Sequence, residues 1–146
     1  MKKIVAVCAL SLFSMVAGAN ELLLTSSSSK AGATQVSIDF VSDGQAVAFQ
    51  YNIALPKGVS ADQVDLRSCS ADLPKQYVGE CSVAKGQIIG FVVNDANVPF
   101  PAGVLPVGKI GIASAAKLRN LEVLKLEVVG SNAKTLKASV SVDPVK

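Results

Sequence analysis

The sequence predicts an all-β protein built as a β-sandwich. Three observations carry this: apolar residues alternate with polar ones at period two along several short runs, turn residues separate those runs, and few segments carry helical spacing. Seven or eight such runs fit within about 110 residues, the density of a two-sheet sandwich.

The first segment is an address, not a strand. Lys2 and Lys3 precede a 14-residue apolar run from Ile4 to Ala17, and Ala17-Gly18-Ala19 supplies the small-x-small pattern of a signal peptidase site. Residues 1–19 are therefore expected to be a cleaved signal peptide. The run is shorter than the roughly 20 apolar residues that span a bilayer, and no cysteine sits at its end to take a lipid, so no membrane association is expected after cleavage. Loss of Lys2 and Lys3 leaves 12 basic against 11 acidic residues, a net charge of +1. These charges are scattered singly, without the basic patch that a nucleic-acid partner demands.

Residues 20–35 read as a flexible N-terminal lead, because Thr25 to Lys30 is the polar run TSSSSK and Ala31-Gly32-Ala33 follows it. Leu22-Leu23-Leu24 could either add a short strand or fray. The folded domain is expected over residues 36–146. Val36, Ile38 and Phe40 alternate with Ser37 and Asp39 as a half-buried strand, and Ser42-Asp43-Gly44-Gln45 makes a turn. The clearest run follows: Val47, Phe49, Tyr51, Ile53 and Leu55 point one way, and Ala48, Gln50, Asn52 and Ala54 the other. One face is core; the other is small and polar.

Val64-Asp65-Leu66 is a short strand, and Ser70 to Glu80 a polar loop. Gln87 to Asn94 is apolar on both alternating sets, which predicts a central strand covered on both faces for much of its length. Asn97 to Gly108, with Pro99, Pro101, Pro106, Gly103 and Gly108, predicts a connecting loop without a regular ladder. Lys109 to Ala113 resumes an extended pattern. Ser114 to Val129 fits helical spacing through Leu118, Leu121, Leu124 and Val128, but alternation of Leu124, Leu126 and Val128 with Lys125 and Glu127 favours a strand. Leu136, Ala138, Val140 and Val142 form a last alternating strand after the turn at Gly130-Ser131-Asn132.

Cys8 leaves with the leader, so Cys69 and Cys81 remain as an even pair in an exported chain and are expected to form a disulfide. The eleven residues between them do not give the geometry of a redox CxxC pair.

The composition excludes much chemistry. With no His, neither a Ser-His-Asp nor a Cys-His mechanism can be built, and two cysteines do not make a four-cysteine zinc site. Asp62, Asp65, Asp72, Glu80 and Asp95 show no spacing that singles out a glycosidase pair, and Asp43 and Asp95 lack close acidic neighbours for calcium. No catalytic residue, metal or cofactor is expected: the protein is read as a non-enzymatic binding module. Sugar-binding modules stack rings on exposed aromatics, yet the chain has no Trp, alternation directs Phe40, Phe49 and Tyr51 to the core, and Phe91 lies in the central strand. That leaves Tyr77 and Phe100 on loops, with Tyr77 the best single ligand contact unless it packs over the rim.

The segments VAFQYNIALPKGV (47–59), KGQIIGFVVND (85–95), FPAGVLPVGKIGIA (100–113) and LEVLKLEVVGSNAKTLKASVSV (121–142) together resemble the cohesin-like modules of bacterial exported proteins. The resemblance implies a jelly-roll, immunoglobulin-like β-sandwich of about eight to nine strands, a fold shared with some carbohydrate-binding modules. It implies protein–protein recognition through a flat sheet face, as cohesins grip dockerins. The outward side of strand 47–55 would then belong to the recognition sheet, placing Gln50 and Asn52 there as hydrogen-bonding candidates. The expected partner is a protein or, as the alternative, an extracellular or envelope polysaccharide, met in the periplasm or the medium.

Overall fold

A computed structural model describes residues 20–28, 32–113 and 121–143. The signal peptide expected over residues 1–19, with its cleavage point, and the helix-or-strand segment 114–120 lie outside the described residues. Two five-stranded sheets pack face to face. The strands are β1 (Asn20–Ser28), β2 (Thr34–Ser42), β3 (Ala46–Ala54), β4 (Val64–Asp65), β5 (Tyr77–Ala84), β6 (Gln87–Asn94), β7 (Gly103–Ile112), β8 (Val123–Gly130), β9 (Thr135–Leu136) and β10 (Ala138–Asp143). One sheet has the order β10-β1-β2-β7-β4, the other β5-β6-β3-β8-β9, and β1 with β10 is parallel while the other pairs are antiparallel. This is the predicted all-β sandwich.

The core is where the alternating inner residues of both sheets meet. Phe40 of β2 stacks on Phe49 of β3 with ring centroids 4.1 Å apart and planes 14° from parallel, so the contact spans the two sheets. Phe100, from the β6–β7 connection, stands edge-on to both at 6.2 and 6.0 Å. Its backbone N–H donates to Ala46 O at 2.8 Å, which fixes the loop over the sandwich end. Phe100 is fully buried, which corrects its expected loop exposure.

The flexible lead is also corrected. Residues 20–28 are β1, paired on both sides, with Leu22 and Leu24 buried. Leu22, Leu24 and Ser26 alternate inward, so the serine run continues the strand with one covered face, held by β2 alone beyond Thr25. Asn20 anchors its start: its Oδ1 accepts from the Asp43 N–H at 3.0 Å, and its Nδ2 donates to Lys137 O at 3.2 Å.

Proline did not exclude a ladder from 97–108. Strand β7 begins at Gly103 and absorbs Pro106 at a bulge, where Asp39 faces Pro106 and Ile38 faces Gly108, leaving Val107 unmatched. The far side of β7 meets β4 only at Gly111 and Ile112, so Pro106 deprives no neighbouring strand of a donor there. Val107 O instead accepts from Asp72 N at 3.1 Å.

Strand β5 occupies residues expected to be loop, starting at Tyr77. The final alternating run is split: Thr135–Leu136 pairs with β8 in one sheet, and Ala138–Asp143 crosses to pair with β1 in the other. Leu124 does not point inward with Leu126 and Val128, because β8 bulges between Val123 and Lys125 and turns Leu124 out.

The Cys69–Cys81 disulfide forms as expected, with Cα atoms 6.5 Å apart. It ties the connection after β4 to β5 on the other sheet. The same connection is docked by Lys109 N–H donating to Ser68 O at 2.8 Å. A Cβ on Gly108 would clash with that oxygen and with the Cys69 backbone, so only glycine lets the connection pass so close. Tyr51 lies beneath β6, where its hydroxyl donates to Cys81 Sγ at 3.6 Å and its burial raises the phenol pKa. The ring occupies the space a side chain at Gly90 would need.

Two outcomes follow for stability. The double variant Cys69→Ser/Cys81→Ser loses about 3 kcal/mol in denaturant titration, while far-UV circular dichroism stays that of the parent because the backbone bonds still dock the connection. Gly90→Ala is destabilised by about 1–3 kcal/mol through overpacking, and Tyr51→Leu in the same chain recovers part of the loss.

Candidate functional site: the outer face of the β5–β6–β3–β8 sheet

Strand register lays the outward residues of this sheet in rows. Val78, Val93, Ala48 and Val129 form one; Glu80, Phe91, Gln50 and Glu127 the next; Ser82, Ile89, Asn52 and Lys125 a third. The first row is apolar throughout and β6 is apolar in all three, while Glu80 on β5 and Glu127 and Lys125 on β8 put charges at the two sides. Ala48 stands between two valines, and its short side chain leaves a shallow depression of about 260 Å³ bordered by Gln50, Phe91, Val93, Glu127 and Val129.

Gln50 and Asn52 both lie on this face and are half-buried by their neighbours. Asn52 Nδ2 donates to Gln87 Oε1 at 2.9 Å, which orients the amide. Its Oδ1 is buried and has no hydrogen-bond partner among the described residues. Lys125 and Glu127 form an exposed ion pair at 3.2 Å beside it.

Tyr77 is not brought to these residues. It begins β5 with its side chain toward the sandwich interior, and its ring packs edge-on to Phe100 at 5.0 Å and 85°. It closes the rim and is half-buried there.

The outer apolar residues of β6 were missed. The run Gln87–Asn94 was expected to be covered on both faces, but only Ile88, Gly90, Val92 and Asn94 are buried, while Phe91 is 39% exposed and Ile89 and Val93 are half-buried. Val78 beside it on β5 is also 39% exposed. The signal was present in the sequence as apolar residues in both alternating sets; what it cannot carry is whether a second layer covers the outer set.

The outer face of the opposite sheet has another character. Asp39, flanked by Leu23 and Pro106, has its pKa raised by desolvation first and by the nearby Asp72 carboxylate second. Hydrogen bonds from the Arg67 side chain and backbone hold exposed Asp65 down at about 2. Neither group lies on the β5–β6–β3–β8 face.

Comparison with solved structures gives the fold. A non-cellulosomal cohesin from the hyperthermophilic archaeon Archaeoglobus fulgidus is similar over 88% of this chain and 91% of its own, with a TM-score of 0.63 and 14% identity. A type I cohesin–dockerin complex from Clostridium thermocellum matches over 88% of this chain and 94% of that chain, at TM-score 0.59 and 8% identity. A type II cohesin–X-dockerin complex from Acetivibrio cellulolyticus matches over 87% and 96%, at TM-score 0.56 and 10% identity. No protein-family model matches the chain, and no curated protein does.

The raised Asp39 pKa makes a pH prediction. The folded chain holds this proton more tightly than the unfolded chain, so the group's contribution falls as pH rises from the ordinary carboxylate range through the raised value. Asp39→Asn is expected to match the parent in thermal midpoint near pH 3 and to exceed it at pH 7. From its topology and extent, the folded unit is a cohesin-like β-sandwich domain.

Proposed function

We propose that the protein is a non-enzymatic, exported module that binds a protein partner through the outer face of the β5–β6–β3–β8 sheet. The observation that carries this is apolar surface on a side of β6 and β5 that no layer of the described residues covers: Phe91, Val78, Ile89 and Val93 border polar and charged residues, the pattern of a docking surface. The solved cohesins support the reading, since the Clostridium thermocellum and Acetivibrio cellulolyticus structures are complexes with dockerins.

Each part of the face has a role in this reading. The depression over Ala48 takes an apolar side chain from the partner, and Phe91 packs beside it. Asn52, its amide oriented by the bond to Gln87, stands beside Gln50 and Lys125 as a polar border of the face. Gln50 stands between Phe91 and Glu127 and adds a second polar contact.

The polysaccharide alternative has a thin stacking platform among the described residues, because Phe40, Phe49, Tyr51 and Phe100 are buried, Tyr77 is packed against Phe100, and Phe91 alone is an exposed aromatic ring. The leader over residues 1–19 directs export to the periplasm or the medium, and the disulfide suits an oxidising compartment.

The test is affinity capture of exported proteins from the host with the disulfide-bonded chain, alongside Gln50→Arg/Asn52→Arg and Phe91→Ala. Saturable recovery of one protein is expected, weakened about thirtyfold or more by each variant, the loss expected for a hot spot. Recovery that neither variant weakens, or no saturable recovery, defeats the proposal.

A further inference from the structure

The two sheets end in four edge strands, and they are not equally protected. Strands β4 and β9 have two residues each, and β10 is six residues long, preceded by Lys137 and ending at Asp143. Strand β5 runs eight residues, Tyr77 to Ala84, with no Lys, Arg or Pro and one charge, Glu80. Sheet edges are ordinarily blunted by shortness, lysine or proline. This one is long and carries none of these devices in its own sequence.

The β5–β6 turn indicates which backbone groups face the edge. Lys85 and Gly86, at φ 51° and 72°, form a two-residue turn flanked by the pair Ala84 and Gln87. In such a hairpin the flanking pair exchanges both hydrogen bonds, so Ala84, Ser82, Glu80 and Val78 bond to β6. The N–H and C=O groups of Val83, Cys81 and Gly79 then point away from the sheet.

The space under the edge is filled. A Cβ on Gly79 would meet Leu73 and Ser70 at 2.6 and 2.8 Å, and Cys81 is bonded to Cys69. There is thus no pocket for alternate side chains, the feature that gives a foreign peptide strand its specificity. A strand with small residues at those positions fits, and β5 is such a strand.

We infer that a second copy of this chain adds at this edge, β5 against β5 in antiparallel pairing about a two-fold axis at Cys81. Gly79 then faces Val83 of the second copy, Glu80 faces its Ser82, and Val78 its Ala84, with about six backbone hydrogen bonds across the axis. Centring the axis on Glu80 instead would set two carboxylates directly opposite, which is destabilising. The Cys81 register overlaps the whole of Val78 to Ala84 and avoids that. The contact is small, below about 1,200 Å² in total, so association is weak. This inference does not depend on the partner-binding reading: the edge lies beside the outer face and leaves it free.

The experiment is sedimentation equilibrium of the disulfide-bonded chain from about 1 µM to about 1 mM, the range in which weak association is visible. The weight-average mass is expected to rise toward twice the monomer's. Ser82→Glu sets a carboxylate against Glu80 of the second copy at two symmetric places and is expected to weaken dimerisation about tenfold or more. Adding Glu80→Lys to that variant restores it, because each introduced carboxylate then faces an introduced ammonium of the second copy. Thermal unfolding verifies that both variants are folded. A mass that stays monomeric, Ser82→Glu without effect, failure of Glu80→Lys to restore, or loss of dimer in Phe91→Ala would each overturn the inference.

Discussion

The stack of Phe40 on Phe49 is the contact on which the rest of this structure depends. One ring comes from each sheet, so the pair sets the sheets' distance and lateral position together. Phe100 turns edge-on to both, and Tyr77 edge-on to Phe100, so the aromatic cluster runs from the centre of the sandwich to its rim. Rings that bury this much area dominate core energetics, and their edge and stacked geometries resist sliding. With the sheets held in place, the inner residues of β1, β6, β7 and β8 have a fixed surface to fill.

The disulfide and its surroundings close the side of the sandwich that this cluster leaves open. The connection after β4 passes over Gly108, bonds to β7 through Ser68 O, and reaches β5 through Cys69 and Cys81. Tyr51 spans the remaining gap: its ring fits under Gly90 and its hydroxyl meets Cys81 Sγ. Covalent, packing and backbone restraints therefore converge on β5, which has a neighbour on only one side. That convergence holds the edge strand in register as the continuation of the outer face of β6, β3 and β8.

Function in a sandwich of this kind is decided on the surfaces the core leaves over. Strand β6 is apolar on both sides, and the inner side is satisfied by packing against the facing sheet. The outer side, through Ile89, Phe91 and Val93, has no covering layer among the described residues, and Ala48 beside it supplies a depression. Surface apolar residues scattered singly need no explanation; a row of them across adjacent strands does.

Much of this was legible from the amino-acid order alone. Alternation placed Phe40, Phe49, Tyr51 and Ile53 in the core and Gln50 and Asn52 outside it, and Cys69 with Cys81 gave the disulfide, because each of these depends on local period or on the expected pairing of cysteines outside the leader. Tertiary structure alone decided that residues 20–28 are a strand, since Asn20 pairs with Ala138, more than a hundred residues away. It decided that Pro106 sits at a bulge, that the last run changes sheets at Lys137, and that Tyr77 turns inward. It also decided that Phe91 is exposed. A period-two pattern states which side of its own strand a residue occupies, but whether that side meets another layer or water depends on pairing between distant segments, which no local pattern encodes.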